Sequence, residues 1–196
     1  PAQVEAGPES AARSAETSAD CGRHRYYFEV EVLAVAPQRK GTTRTIAVGF
    51  AWPRGPEEVR KAEMASQLPR AFVAGGDLPK AFLDGHELRK LAGWRPLLEV
   101  QAGSRLGALL EVGEDRTLLL SVFQDGTRRC SVMAELPEGR EGEPRGVVDV
   151  CGTVQRVELL QDMRPPFLAE GVGAGSDSSS HVTAGGGEAA GSAFHR

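Results

Sequence analysis

Aromatic side chains are scarce in this chain, at 6% of 196 residues. A core built from it must be filled mainly by Val, Leu and Ala. Cysteine is nearly absent: Cys21, Cys130 and Cys151 make an odd number, with no CxxC or Cys/His spacing. That argues against a disulfide framework or a zinc site and fits a reducing compartment. No apolar run reaches the roughly 18 residues that span a membrane, and no charged-then-apolar segment opens the chain. Neither a membrane partner nor secretion is therefore expected, and a cytoplasmic or nuclear location is. The chain begins at Pro1 rather than Met, as a fragment would. Dense basic runs are missing too. The net charge is −4, and Arg23-His24-Arg25 is too short for the basic stripe of a nucleic-acid binder. No GxSxG elbow occurs. Gly75-Gly76-Asp77 and the pair Gly103 and Gly107 lack the GKS/T ending of a phosphate loop. No cofactor and no metal are expected.

What is present reads as one domain between two polar ends. Apolar residues make up 40% and charged residues 26% of the chain, ordinary for a globular protein. Residues 1–22 and 164–196 are dominated by Ala, Gly, Ser and Glu. Such segments bury too little apolar surface to offset ordering entropy, so disorder is expected there. Residues 23–163 are the expected domain. In Tyr26-Tyr27-Phe28-Glu29-Val30-Glu31-Val32, Phe28, Val30 and Val32 alternate with Tyr27, Glu29 and Glu31, the pattern of a half-buried antiparallel strand. Thr45–Phe50 is a second strand. Pro56 followed by Glu57-Glu58 starts a short helix that Leu68-Pro69 ends, and Leu88–Leu91 is read as another short helix. Arg105–Val112, Thr117–Gln124 and Thr127–Met133 form a meander, with Asp125-Gly126 as a hairpin turn. Val147–Val150 and Val154–Leu160 read as a closing pair hinged on Cys151-Gly152-Thr153. Short strands with regular turns predict an all-β fold, an antiparallel, jelly-roll-like β-sandwich with one or two short helices.

Several of these pieces resemble one family group in order. YYFEVEVL, from Tyr26, is similar to the "YFEVEV" strand of SPRY (B30.2) domains, and IAVGF at 46–50 to the strand that follows it. Leu68-Pro69 and Val147-Val148-Asp149-Val150-Cys151-Gly152 resemble pieces of the neuralized homology repeat, with Cys151 where that repeat has Tyr. Ala81–Gly85, Ala102–Gly107 and Phe123–Gly126 resemble other SPRY pieces, with Ser104 where Asp is usual. The first strand of those families has no counterpart in residues 1–22. The resemblance covers about Tyr26 to Leu160 and implies a concanavalin-like sandwich. It also implies a protein- or peptide-binding module using loops at one end, since loops on a rigid scaffold commonly carry binding. Such domains often serve as substrate receptors of ubiquitin ligases, so a recognition or adaptor role is implied for a domain expected to be monomeric.

The expected binding surface comprises the 51–56 loop, the 72–80 loop and the 84–96 connection. Trp52, Arg54, Phe72, Asp77, Trp94 and Arg95 are its candidate residues, because Trp paired with Arg is enriched at interface hot spots. Trp52 is expected at an exposed rim, while Trp94 is as readily a plug of the sandwich edge. Two other classes stay open. A lectin-like module would want exposed aromatics with Asp or Asn. A hydrolase would centre on His86, oriented by Asp84, although a polar turn explains Asp84-Gly85-His86 more simply. Asp149 is either a buried carboxylate or, more simply, solvent-facing or bonded to a nearby loop backbone. No catalytic residue is expected.

Overall fold

The computed structural model describes residues 23–37, 41, 44–76, 80–91, 93–137, 140 and 142–166. The polar ends 1–22 and 167–196 therefore lie outside the described residues. In chain order the strands are β1 (His24–Val35), β2 (Ala47–Ala51), β3 (Ala71–Gly75), β4 (Lys80–Leu83), β5 (His86–Lys90), β6 (Arg105–Val112), β7 (Thr117–Gln124), β8 (Thr127–Glu135), β9 (Arg145–Asp149) and β10 (Val154–Leu160). Two short helices, α1 (Pro56–Lys61) and α2 (Pro96–Glu99), and a 3-10 turn at Ala65–Gln67 complete the set.

Every pairing is antiparallel, and the strands form two five-stranded sheets. The first has the order β10-β1-β6-β7-β8 and the second β5-β4-β3-β2-β9. The fold is the expected all-β sandwich. Phe28, Val30 and Val32 of β1 join Leu106, Ala108 and Leu110 of β6 on the inner face of the first sheet. They meet Val48, Phe50, Phe72 and Ala74 of the second sheet in one core. The Phe28 and Phe50 rings pack edge-on across the gap, with centroids 5.4 Å apart. Each fully buried Val, Leu or Phe contributes about 2 kcal/mol, so this row of side chains holds the sheets together.

The second sheet has a further apolar layer on its outer side. Ala51, Ala71 and Val73 point away from the sandwich and are covered by Ala65 and Leu68, with Ala62, Phe82 and Val147 packed around them. The segment between β2 and β3 folds back to supply this cover. β2 and β3 are therefore buried on both faces along their whole length.

The structure corrects three sequence expectations. Leu88–Leu91 is not a helix, because Leu88 to Lys90 belong to β5, a fully exposed edge strand. Residues 72–75 are not loop but β3, whose unbroken apolar run reflects burial on both faces rather than alternation. The closing runs do not pair: β9 adds to β2 and β10 to β1, so the hinge carries the chain from one sheet to the other. The two flanks of β1 are occupied by β10 and β6.

The hinge depends on its glycine. Gly152 has φ 62°, a left-handed conformation that glycine adopts without strain. A Cβ there would also run into the Arg44 carbonyl, which accepts the Thr153 N–H at 3.2 Å. Gly152→Ala is therefore expected to cost at least about 2 kcal/mol of stability. Urea unfolding with an unchanged midpoint would contradict this account of the crossover.

Candidate functional site

Strand direction sorts the loops into two groups. β2 ends at Ala51 opposite Ala71, where β3 begins. Arg145, the start of β9, also lies opposite Ala51. The β4–β5 turn at Asp84-Gly85 sits at the same end, beside Phe72. The other end gathers residues 44–46, Gly76, the 91–104 connection and the hinge, tied by Thr45 N–H to Gly76 O (3.0 Å) and Ala36 N–H to Thr153 O (2.7 Å). The surface expected from residues 51–56, 72–80 and 84–96 is thus split. Trp52 and Arg54 lie at the first end, and Trp94 and Arg95 at the second. Asp77 lies outside the described residues.

Burial corrects the expected role of the aromatics. Phe72 and Trp94 are 0% exposed and sit in the inter-sheet core. Trp94 plugs the second end: its indole N–H donates to Gln124 Oε1 at 3.2 Å, and the Gln124 amide donates to the Glu99 carbonyl at 3.0 Å. Trp52 is 6% exposed rather than at an open rim: it joins the main core cluster, and the Arg140 guanidinium stands over its ring, 4.8 Å from the centroid. Neither tryptophan offers the open platform that a lectin-like site would use. Arg54 and Arg95 are exposed.

Around Trp52 the first end holds a compact polar cluster. The Trp52 N–H donates to Arg70 O at 3.0 Å, and the Asp84 N–H to Ala71 O at 2.9 Å. These bonds fix the ends of β2, β3 and β4 against each other. Arg70 and Asp84 both hold left-handed backbone, at φ 56° and 55°, uncommon for side chains other than glycine and frequent at functional sites. Arg70 is paired: Glu58 accepts from its guanidinium at 2.5 and 2.7 Å. Glu58 also accepts the Arg54 N–H at 3.0 Å, and these two contacts, the backbone one first, hold its carboxyl below the usual range.

Arg140 is less well provided for. Its side chain is wholly buried and one Nη forms an ion pair with Asp84, yet Nε and the other Nη have no hydrogen-bond partner among the described residues. Burial, and secondarily the neighbouring Arg70, push its pKa down to about 10. Buried donors left empty cost about 1–3 kcal/mol each, so this cation is held at a loss to folding. Sequence reading missed Arg140 because it lies in the polar stretch 138–144, where nothing in composition distinguishes one loop Arg from another.

The remaining candidate chemistry is accounted for locally. Asp84 serves Arg140, and His86 stands exposed at the start of β5. Asp149 Oδ2 accepts the Ala65 N–H at 2.8 Å, pinning the 3-10 turn as a loop-backbone bond rather than acting as a free acid. Cys130 is half-buried, and burial lifts its thiol to about 11, which keeps it protonated at neutral pH. Among the described residues no group of His, Cys, Asp and Glu could hold a metal ion, and no helix is long and apolar enough to cross a membrane.

No family model matches the chain, and no curated protein matches it. Among solved structures it is similar to a human SPRY domain, at 19% identity and a TM-score of 0.48, covering 72% of this chain and 86% of that one.

The Asp84–Arg140 pair should be asymmetric. Asp84→Asn keeps the side-chain shape and tolerates the left-handed turn, but strips the buried guanidinium of its anion. It is expected to cost about 3 kcal/mol. Arg140→Met removes the charge and leaves a partly solvated carboxylate, so stability should stay within about 1 kcal/mol of the parent or rise. Chemical unfolding of both variants checks this; equal losses would show that Arg140 is a net stabiliser.

Proposed function

We propose that the domain captures a peptide segment of a partner protein at the end of the sandwich where Trp52, Asp84 and Arg140 meet. The observation that carries this reading is the buried Arg140 guanidinium with two empty donors. It stands on an aromatic face, at an end built from a loop excursion and a tight turn. A peptide offering carbonyl or carboxylate oxygens would fill those donors. A charge-assisted bond of this kind is about twice as strong as a neutral one. Trp52 would be the apolar floor, and the exposed Arg54 and Arg145 would fix orientation at the rim. Residues with left-handed backbone and an unsatisfied buried cation are features retained where binding, not stability, sets the requirement.

An adaptor or substrate-recognition role in a ubiquitin-ligase system, in the cytoplasm or nucleus, is the finer part of the proposal. It is supported by the resemblance of the sequence pieces to SPRY and neuralized repeats.

Selection of binders from a displayed peptide library on the full chain tests the reading. Selected peptides should lose about tenfold or more in affinity for Arg140→Met and keep it for Arg95→Ala, which changes only the opposite end. Unchanged binding by Arg140→Met would place recognition elsewhere.

A further inference from the structure

The fold gathers positive charge that the sequence scatters. β5 and β8 are the edge strands of the two sheets, and they face each other along one side of the sandwich. Arg89 reaches across and donates to the Ser131 carbonyl. Between them lies a cleft of about 170 Å3 lined by Arg89, Lys90, Leu91, Cys130 and Ser131. Lys80 lies opposite Lys90 in the β4–β5 ladder, Arg129 and the Arg95 backbone N–H both meet Glu99, and Arg128 precedes Arg129 on β8, in a chain whose net charge is −4. Glu87 is engaged by Lys80 at 2.6 Å and Glu99 by Arg129 at 2.9 Å. Among the described residues, the side chains of Arg89, Lys90, Arg95 and Arg128 have no carboxylate partner.

We propose that this seam is a second docking surface, for an extended Asp- and Glu-rich segment of a partner protein, with one carboxylate seated in the cleft beside Arg89. The inference rests on the reading of the domain as a protein-interaction module but uses a different face. Unpaired like charges along one side repel each other, and an acidic segment relieves that repulsion while steering its own approach. Recognition of acidic motifs by clustered arginines is a general mode. Strand addition is disfavoured at β5, which is short, carries Glu87, Arg89 and Lys90 in five positions, and is bulged opposite Ala81 and Phe82. Docking therefore runs through side chains, and Leu88, 41% exposed on β5, offers one apolar contact beside the charges. Nucleic acid fits less well, because no exposed aromatic ring lines the cleft to stack a base.

The test uses the full chain and a fluorescein-labelled peptide of Asp and Glu with one Leu, read by fluorescence anisotropy. Controls are the same peptide with Asn and Gln, and single-stranded RNA as competitor. The acidic peptide should bind, weaken as salt rises, and lose about tenfold or more in affinity for Arg89→Glu/Lys90→Glu/Arg128→Glu. Circular dichroism confirms that the triple variant is folded, and Arg128→Gln alone should give a smaller loss in the same direction. Unchanged affinity in the triple variant, equal binding of the Asn/Gln peptide, or stronger competition by RNA each overturns the proposal. Arg140→Met in the same assay separates the two surfaces. If it abolishes acidic-peptide binding while the triple variant does not, the seam is wrong and the Trp52–Arg140 end stands.

Discussion

The structure depends on β2 and β3 being buried on both faces. One face packs against the first sheet through Phe50 and Phe72; the other lies under the returning 52–70 segment through Ala65 and Leu68. A central strand with two apolar faces cannot stand in water on either side, so the excursion must fold back. Asp149 then fixes its 3-10 turn by accepting the Ala65 N–H. Once that segment is laid down, Trp52 and Arg70 are held at the end of β2 and β3, and the β4–β5 turn closes beside them. The polar cluster at that end is thus a product of core packing. Only Arg140 arrives from a separate connection, and it lands on a platform already built.

Cationic groups with donor capacity left to fill are the common thread of the two proposed surfaces. At the end of the sandwich stands one buried guanidinium with empty donors; along the side stand several exposed cations beside a small cleft. The two differ in consequence. Desolvation makes the buried cation costly to folding, whereas the exposed ones are screened by water and salt and act mainly on approach and orientation. A domain with both would hold a partner at one point of high specificity and one of electrostatic guidance.

The parts of the fold that follow local rules were legible in the sequence. β6, β7 and β8 begin at the expected residues and two of them end there, because alternation and the Asp125-Gly126 turn act within a few residues. β10 matches its expected bounds for the same reason. β3 was missed because Ala71 to Gly75 is apolar throughout, and period-two alternation vanishes when both faces are buried. Leu88–Leu91 reads as helix from sequence because no period-two alternation marks it; the strand state of Leu88 to Lys90 comes from pairing with β4, not from its own pattern. The candidate site was less legible. Trp52 and Arg54 lie at the end now proposed for capture, but Trp94 and Phe72 serve the core, and Arg140 and Asp84 meet across a sequence separation that no local signal spans. The charged seam needed both sheets in place before its residues became neighbours.

The chain has two tryptophans in contrasting settings, and their indole N–H resonances test the central claim most directly. Trp52 lies under Arg140 at the proposed capture site, while Trp94 is locked to Gln124 at the far end. Titrating a library-selected peptide into 15N-labelled protein should shift the Trp52 indole signal and leave that of Trp94 in place. A shift of Trp94 with Trp52 unmoved would contradict the account and move recognition to the opposite end of the sandwich.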